Sequence, residues 1–255
     1  MYCKLCQSVM NKSHNATILA KYDISYFHCP NCQFIQTEEE HWLTEAYQDS
    51  INLSDTGYMQ RNLALSKVVS TVLAWFFPSS PRCLDYAGGY GVFVRLMRDI
   101  GYDFYWQDKY TENLFARGFE VKEQHSFDVI TSFESFEHFD QPLQEIETML
   151  NLSNNILFST VLYGDKVPES DWHYFGLEHG QHISFYNLST LKFLAQKYKL
   201  NLYSDKKSIH FLTNKTIHPL LFYVLVKIAR LGLGDFLALF KKSKTLSDWQ
   251  LMREK

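Results

Sequence analysis

A glycine-rich turn directly after a short apolar run is the feature that most restricts how this chain can fold. The run RCLDY, residues 82–86, is followed by AGGYG and then by VFVRLMRDIG, whose apolar residues recur at helical spacing. A strand, a glycine turn and a helix in this order are typical of a doubly wound sheet, in which ligands bind at the carboxyl ends of the strands. The stretch therefore predicts a ligand-binding turn.

The rest of the chain continues this alternation of strands and helices. Further strands are predicted at 102–108, 126–133, 155–162, 201–205 and 208–214. Helices are predicted at 42–47, 62–77, 91–101, 142–151 and 187–200. Alternating elements favour a mostly parallel sheet with helices on both faces. We therefore expect an α/β fold, a Rossmann-like doubly wound sheet.

Four of the five cysteines lie in the first 32 residues. They form two pairs, Cys3-x-x-Cys6 and Cys29-x-x-Cys32. Two residues between cysteines let one tight turn direct both thiolates at one metal, and the metal supplies folding energy that so small a module lacks. We expect a closed, structural Cys₄ zinc site. A redox-active or disulfide-bonded set is the alternative interpretation, and His14 and His28 are alternative ligands. Cys83, at the start of a strand, is expected to be buried and inert.

The charge and the amino terminus exclude some classes of function. The net charge is −3 without a strong run of one sign, which does not favour a nucleic-acid partner. The opening residues MYCKLCQSVMNKSH contain no apolar signal region. We therefore expect a cytoplasmic protein that does not bind nucleic acid.

The apolar segment from Pro219 to Phe240 is interrupted by Lys227, Arg230 and Asp235. These charges make it unsuitable as a membrane span. One interpretation is an amphipathic helix in peripheral contact with a membrane. The other is a helix that covers the sheet or contacts a second copy of the chain.

The glycine spacing indicates which ligand the turn holds. A dinucleotide turn needs a third glycine three residues after the second, but Val94 occupies that position after Gly89 and Gly91. What remains is Asp85-x-Ala87-Gly88-Gly89-x-Gly91, which resembles motif I of the class I S-adenosylmethionine-dependent methyltransferases. The resemblance implies that Asp85 complements the cationic cofactor and that the glycines let the backbone approach it. Ala87 departs from the usual first glycine, and alanine restricts positive φ.

Two more positions fit this resemblance. Asp108 ends the second strand, where the family commonly binds the ribose hydroxyls, although a loop cap is the alternative role. FDVITSFESFEHFDQP, residues 127–142, resembles the fourth-strand segment of the family. It implies that Phe133 and Glu134 also contact the cofactor.

A closer resemblance extends over residues 1–215. The cysteine pairs, WLTEAY, FESFEHF and GQHISFYNLSTLKFLA together resemble bacterial methyltransferases of surface-polysaccharide biosynthesis, of capsule or O-antigen. These are similar to zinc-bearing sugar methyltransferases that act on nucleotide-activated deoxysugars. The resemblance implies a zinc module at 1–40, a helical linker at 41–70 and a cofactor-binding domain at 71–215. It does not extend to the remaining residues, which we expect to form a C-terminal helical segment at 216–255. It also implies a sugar or nucleotide-sugar acceptor.

Transfer of a methyl group to a sugar hydroxyl requires a group that takes the hydroxyl proton. A histidine suits this task near neutral pH. The resemblance favours His182 as general base, with His179 and His138 as alternatives. Three nearby aromatic residues are expected to stack on the acceptor: Trp172, Tyr174 and Tyr186. C-methylation of a keto-sugar is an alternative reaction, and a non-catalytic scaffold with a zinc module is an alternative function.

Overall fold

The computed structural model describes residues 1–48, 51–52, 55–122 and 126–254. Asp49, Ser50, Leu53 and Ser54 of the predicted linker lie outside the described residues. So do residues 123–125 of the predicted cofactor-binding domain and Lys255 of the predicted C-terminal segment.

Within these ranges the chain forms ten strands and eight α-helices. The strands are β1 (Asn11–Ile18), β2 (Tyr22–His28), β3 (Ile35–Thr37), β4 (Arg82–Tyr86), β5 (Asp103–Gln107), β6 (Val129–Ser132), β7 (Asn155–Ser159), β8 (Ser184–Phe185), β9 (Asn201–Ser204) and β10 (Ile209–Thr213). The helices are α1 (Leu43–Ala46), α2 (Tyr58–Phe76), α3 (Val92–Ile100), α4 (Pro142–Leu150), α5 (Leu188–Lys197), α6 (Pro219–Ile228), α7 (Gly234–Ala238) and α8 (Thr245–Arg253).

The predicted α/β fold class is confirmed. A six-stranded sheet has the strand order β5-β4-β6-β7-β10-β9. Strand β4 is parallel to both β5 and β6, whereas β9 and β10 are antiparallel, so the sheet is mixed. All four residues of β6 are buried, as expected for a parallel strand without a solvent face. Helix α2 begins at Tyr58 rather than at the predicted Asn62.

The chain divides into two compact units that are interleaved in sequence. The first comprises Met1–Asn52, Phe133–Thr148 and Phe158–Asn214, and the second comprises Leu53–Ser132, Met149–Leu157 and Lys215–Lys255. The resemblance, in contrast, implies domains that follow one another along the chain. Those domain boundaries stay a prediction.

In the first unit, the cysteine-rich segment belongs to a four-stranded sheet of order β1-β2-β3-β8. Strands β1 and β2 form an antiparallel hairpin, which was not among the elements predicted from the sequence. Ile35 of β3 pairs with Phe185 of β8, about 150 residues later in the sequence. Trp42 is fully buried beside this sheet, and its indole Nε1 donates a hydrogen bond to Gly180 O at 2.8 Å. Contacts between distant segments therefore build this unit.

In the second unit, the C-terminal segment packs against α2 and is broken rather than continuous. A π-helical turn, Ala229–Leu233, follows α6 and contains Gly232 at φ 113°. A Cβ added to Gly234 would lie 2.4 Å from the Lys67 carbonyl oxygen of α2, so the two backbones touch there. No helix in the described part of the chain is long and apolar enough to cross a membrane.

A buried ion pair fastens α8 to α3 in the same unit. The Arg98 guanidinium donates from Nε and Nη2 to the two carboxylate oxygens of Asp248, each at 2.8 Å. Their side chains are 5% and 7% exposed, so water screens the pair little. Arg98 also donates to Phe104 O at 2.9 Å. Because a bidentate arginine-carboxylate pair is directional, it determines how α8 lies against α3.

Candidate functional site

In the second unit, the glycine turn after β4 is closely packed by neighbouring loops. A Cβ on Gly88 would lie 2.9 Å from Asp85 Oδ2 and 2.9 Å from Trp106 Cδ1. Gly91 has φ 82°, and a Cβ there would lie 2.7 Å from Asn113 Oδ1. Both positions therefore require glycine. Ala87 has a left-handed backbone conformation, with φ 58°. The turn therefore has the backbone conformation that a glycine would favour, although an alanine stands at this position.

Asp85 is a buried carboxyl group at the end of β4. It is 3% exposed, and its Oδ1 accepts a hydrogen bond from Thr131 Oγ1 at 2.7 Å. Burial raises the pKa of Asp85 to about 7, the charge of Asp108 adds to this, and the Thr131 bond opposes it. A cation bound beside this carboxyl group would favour its ionised form.

Asp108 connects the glycine turn to the loop after β5. Its Oδ2 accepts from the Gly89 N–H at 2.9 Å, and its Oδ1 accepts from the N–H groups of Tyr110 and Thr111, each at 2.8 Å. A carboxylate offers about four acceptor positions, of which these bonds take three. The predicted ribose contact would use the remaining one and stays a prediction.

These features fit the predicted cofactor. The glycine turn presents backbone without side chains, and Asp85 supplies a carboxyl group that a sulfonium or ammonium charge would complement. Trp106 supports the turn, since its indole Nε1 donates to Gly89 O at 2.8 Å.

Phe133 and Glu134, the other predicted cofactor contacts, lie in the first unit. Glu134 has φ 50°, an uncommon left-handed conformation for a non-glycine residue. Its N–H donates to Ser159 Oγ at 2.8 Å, and the Ser159 hydroxyl donates to Glu134 Oε1 at 2.5 Å. These reciprocal bonds hold the strained residue in place. Strain of this kind is common at functional sites.

The first unit brings the three predicted catalytic histidines together. The ring centroids of His138 and His182 are 4.9 Å apart, and those of His179 and His182 are 4.8 Å apart. His138 ends a 3₁₀ turn, Phe136–His138, and the other two lie in the loop before β8. Their role as a base stays a prediction.

Hydrogen bonds to backbone carbonyls assign the protons of two of these rings. His182 Nδ1 lies 2.6 Å from Tyr174 O, and His138 Nδ1 lies 3.1 Å from Gln181 O. A carbonyl oxygen only accepts, so each Nδ1 carries the proton and each Nε2 carries a lone pair. His179 has the opposite tautomer in its neutral form, because its Nδ1 accepts from the Gln181 N–H at 3.1 Å.

Burial lowers the pKa of His138 to about 4, so this ring is neutral at pH 7. Glu137, beside it, is a functional candidate that the sequence did not predict. Its side chain is fully buried, and neither carboxyl oxygen has a hydrogen-bond partner of good geometry among the described residues, although the nearby hydroxyls of Tyr174 and Thr160 lower its pKa. Burial, followed by the charge of Glu134, raises the pKa of Glu137 to about 8. In the sequence, the one sign of a role for this residue is that FESFEHF contains a second acidic residue.

The expectation that three aromatic residues stack on the acceptor is wrong for two of them. Tyr186 is fully buried, and its hydroxyl donates to Phe136 O at 3.2 Å. Tyr174 is 7% exposed, and its hydroxyl accepts from the Val161 N–H at 3.1 Å. Both rings therefore belong to the core. Trp172 is half-buried and packs edge-on against Phe175.

Near the amino terminus, the four paired cysteines form one cluster. Their Sγ atoms all lie within 4.8 Å of one another, and the shortest distances, Cys3–Cys32 at 3.5 Å and Cys6–Cys29 at 3.4 Å, join the two pairs. Four thiolates bound tetrahedrally to zinc lie about 3.8 Å apart. The cluster therefore fits a zinc ion, and all four cysteines are free thiols.

The two cysteine turns have the same backbone structure. Gln7 and Gln33 follow the second cysteine of each pair, have φ 61° and 62°, and donate to the carbonyls of Cys3 and Cys29 at 3.0 Å. The Cys32 hydrogen bond lowers the pKa of the Cys3 thiol to about 5. The two turns therefore direct all four thiols toward the centre of the cluster.

The alternative metal ligands and the fifth cysteine lie apart from this cluster. His14 stacks on Tyr26 with ring centroids 4.7 Å apart, and His28 Nε2 lies 3.1 Å from Gln33 Oε1. Cys83 is buried, as expected, and burial raises its pKa.

Residues 57–205 match the sequence model of a family described as "Methyltransferase domain". No curated protein matches the sequence. Among solved structures, the plantazolicin methyltransferase BpumL in complex with SAH is 12% identical, with a TM-score of 0.44 over 61% of this chain and 84% of that one. The magnesium protoporphyrin IX methyltransferase ChlM from Synechocystis PCC 6803 with bound SAM is 10% identical, with a TM-score of 0.39 over 68% and 90%. The methyltransferase domain of bacterial CtHen1 is 13% identical, with a TM-score of 0.40 over 60% and 100%.

Proposed function

The chain belongs to the methyltransferase domain family, and on that premise we propose that it O-methylates a sugar or nucleotide-activated sugar with S-adenosylmethionine as the methyl donor. The single observation that carries the proposal is the turn after β4. There, a buried carboxyl group, Asp85, lies beside Gly88 and Gly91, two positions where neighbouring atoms leave no room for a side chain.

The methyl donor supplies a carbon that is already activated by its positive sulfur. The protein's task is therefore to bind and orient the reactants, to exclude water, and to help the acceptor lose a proton. In the second unit, Asp85 is suited to complement the charge of the donor. Asp108 keeps the glycine turn in shape through its bond to the Gly89 N–H.

A hydroxyl acceptor is supported by the histidine cluster in the first unit. His182 is the side chain that we propose to activate the hydroxyl, because its Nδ1–H is held by Tyr174 O and its Nε2 carries a lone pair. His179 is less suited, since the Gln181 N–H already occupies its Nδ1 lone pair. The sugar class rests on the resemblance of the chain's motifs to those of surface-polysaccharide methyltransferases. Zinc is proposed as a structural ion, because four thiolates leave no open coordination position.

The test has two steps. Purified full-length chain is titrated by calorimetry with S-adenosylmethionine and with S-adenosylhomocysteine, and saturable binding of one molecule per chain is expected. A panel of nucleotide sugars is then incubated with S-adenosylmethionine, and the products are analysed by mass spectrometry and NMR. The expected product carries its new methyl group on oxygen.

Each negative result contradicts a different part of the proposal. Failure to bind either molecule would contradict the donor assignment and favour a non-catalytic scaffold. Binding without transfer to any sugar would contradict the acceptor class. A methyl group found on carbon would replace O-methylation by C-methylation.

A further inference from the structure

Three potential metal ligands in the first unit lie together outside the cysteine cluster. One ligand atom from each of Glu137, His138 and His182 lies within 4.8 Å of those of the other two. The segments that carry them are joined directly, because the Ile183 N–H donates to Glu137 O at 2.8 Å. Two imidazoles and one carboxylate are a common ligand set for first-row divalent metals.

The two rings are oriented as metal-binding histidines usually are. Such histidines donate the N–H that does not face the metal to a carboxylate or a backbone carbonyl, which fixes the tautomer and the ring orientation. Here Tyr174 O holds the Nδ1–H of His182, and Gln181 O holds that of His138. Tyr47 Oη lies 2.9 Å from His138 Nδ1 and further restrains that ring. Both rings therefore keep a lone pair on Nε2.

Glu137 provides an independent sign of a missing ligand. Its carboxyl group is fully buried, and neither oxygen has a hydrogen-bond partner of good geometry among the described residues; the hydroxyls of Tyr174 and Thr160 lie near enough only to lower its pKa. A buried polar group without a partner costs free energy, and a bound cation would remove that cost. The carboxylate of Glu134, held by Ser159, adds negative charge nearby.

We propose that Glu137, His138 and His182 bind a divalent first-row transition-metal ion, and that this ion activates the acceptor hydroxyl. The second half of the statement rests on the proposed function and revises the part that His182 plays in it. The ion would take the Nε2 lone pair of His182, so this ring would activate the hydroxyl as a ligand of the ion and not as the base. Ligand atoms about 2.1 Å from a shared ion lie about 3 to 3.4 Å from one another, so binding would draw these three together by up to about 1.5 Å. Three protein ligands leave coordination positions open for an acceptor oxygen, unlike the closed cysteine site.

The ion would act by lowering the pKa of the hydroxyl that it binds. The hydroxyl proton leaves to solvent water, and the acceptor oxygen forms a bond to the methyl carbon of S-adenosylmethionine. The bond between that carbon and sulfur breaks, and its electron pair stays on sulfur. The products are the methyl ether, S-adenosylhomocysteine and a proton, and no redox change occurs.

The test is a titration with Mn²⁺ of full chain that holds one zinc ion per chain, enough for the cysteine cluster alone, and EPR reports the free Mn²⁺. Mn²⁺ prefers oxygen and nitrogen ligands to thiolates, so the cysteine cluster does not compete for it. We expect one saturable site per chain, at least tenfold weaker in Glu137→Gln and in His182→Ala. His173→Ala is the matched control, because His173 is exposed in the same loop, and it should bind like the unaltered chain. Near-UV circular dichroism checks that each variant is folded.

The readouts separate this proposal from the methyltransferase assignment. Saturable Mn²⁺ binding that both variants lose supports the site even in a protein that fails to bind S-adenosylmethionine. Absence of saturable binding, or equal binding by folded Glu137→Gln and His182→Ala, overturns it. In that case, retained donor binding with lower turnover in His182→Ala would leave His182 as a simple base.

Discussion

The buried carboxyl group of Asp85 makes the stability of the second unit depend on pH. Its pKa is about 7 in the fold against an ordinary value of 3.8. Because the pKa is raised, the folded state binds the proton more tightly than the unfolded state. The protonated carboxyl group of Asp85 therefore contributes to the free energy of unfolding. This contribution is fully present below about pH 3.8 and is lost as the pH rises to about 7. Each pH unit is worth about 1.36 kcal/mol, so the total is about 4 kcal/mol.

Replacing Asp85 with asparagine removes the titrating group and keeps an oxygen that accepts from Thr131. At pH 4 we expect Asp85→Asn to be as stable as the unaltered protein. At pH 8 it should be more stable by up to about 4 kcal/mol. Urea unfolding at half-unit steps between pH 4 and 8 measures the difference. Thr131→Val removes the hydrogen bond that favours the ionised form of Asp85. In this variant, the loss of stability with rising pH should therefore occur at higher pH.

The same group links donor binding to pH. A bound sulfonium or ammonium favours the ionised carboxylate, so the affinity for S-adenosylmethionine should rise between pH 6 and pH 8, by at most about tenfold per pH unit. Asp85→Asn should show no such rise. Parallel stability curves for the two proteins would refute the reasoning, because they would show that Asp85 titrates normally in the fold.

Four further outcomes are expected. Asp108→Ala should weaken donor binding at least tenfold in calorimetry without unfolding the protein, since it releases the Gly89 N–H; unchanged affinity would contradict this role. Ala87→Gly relieves a left-handed alanine and should raise the free energy of unfolding by about 0.5–1 kcal/mol, whereas a loss would show that the turn is unstrained. Cys29→Ser should abolish zinc retention, measured by atomic emission, while Cys83→Ser retains it; full zinc content in Cys29→Ser would refute the cluster. Asp248→Asn breaks a buried ion pair and should lower the free energy of unfolding by about 3 kcal/mol in urea, and a loss below about 1 kcal/mol would show that the pair is well hydrated.

The elements of the six-stranded sheet could be predicted because their signals are local. β4 has the predicted bounds at 82–86, and the apolar run that contains β6 is visible in the sequence alone. The clustering of the two cysteine pairs also followed from their spacing, because each pair forms its own turn.

What escaped prediction depends on distant contacts. β8 is only two residues long, too short for any periodicity, and it exists because Phe185 pairs with Ile35. The burial of the Glu137 carboxyl group likewise depends on the residues that pack around it in the fold. From the sequence, Tyr186 is predicted to stack on the acceptor, but in the fold its ring lies in the core. An aromatic residue has the same signature in a core and in a binding site, so sequence does not separate the two roles.

The ion pair between Arg98 and Asp248 ties the folding of the second unit to the order of synthesis. The two residues are 150 positions apart, so the guanidinium leaves the ribosome long before its partner. A nascent chain stalled before Asp248 would keep the Arg98 contact with Asp103 at 3.0 Å but would lack the buried bidentate partner, and breaking a buried pair costs about 3–5 kcal/mol. We therefore expect the second unit to stay sensitive to protease in chains stalled at residue 240 and to become resistant once α8 has emerged. Pulse proteolysis of stalled chains would show whether α8 completes the unit.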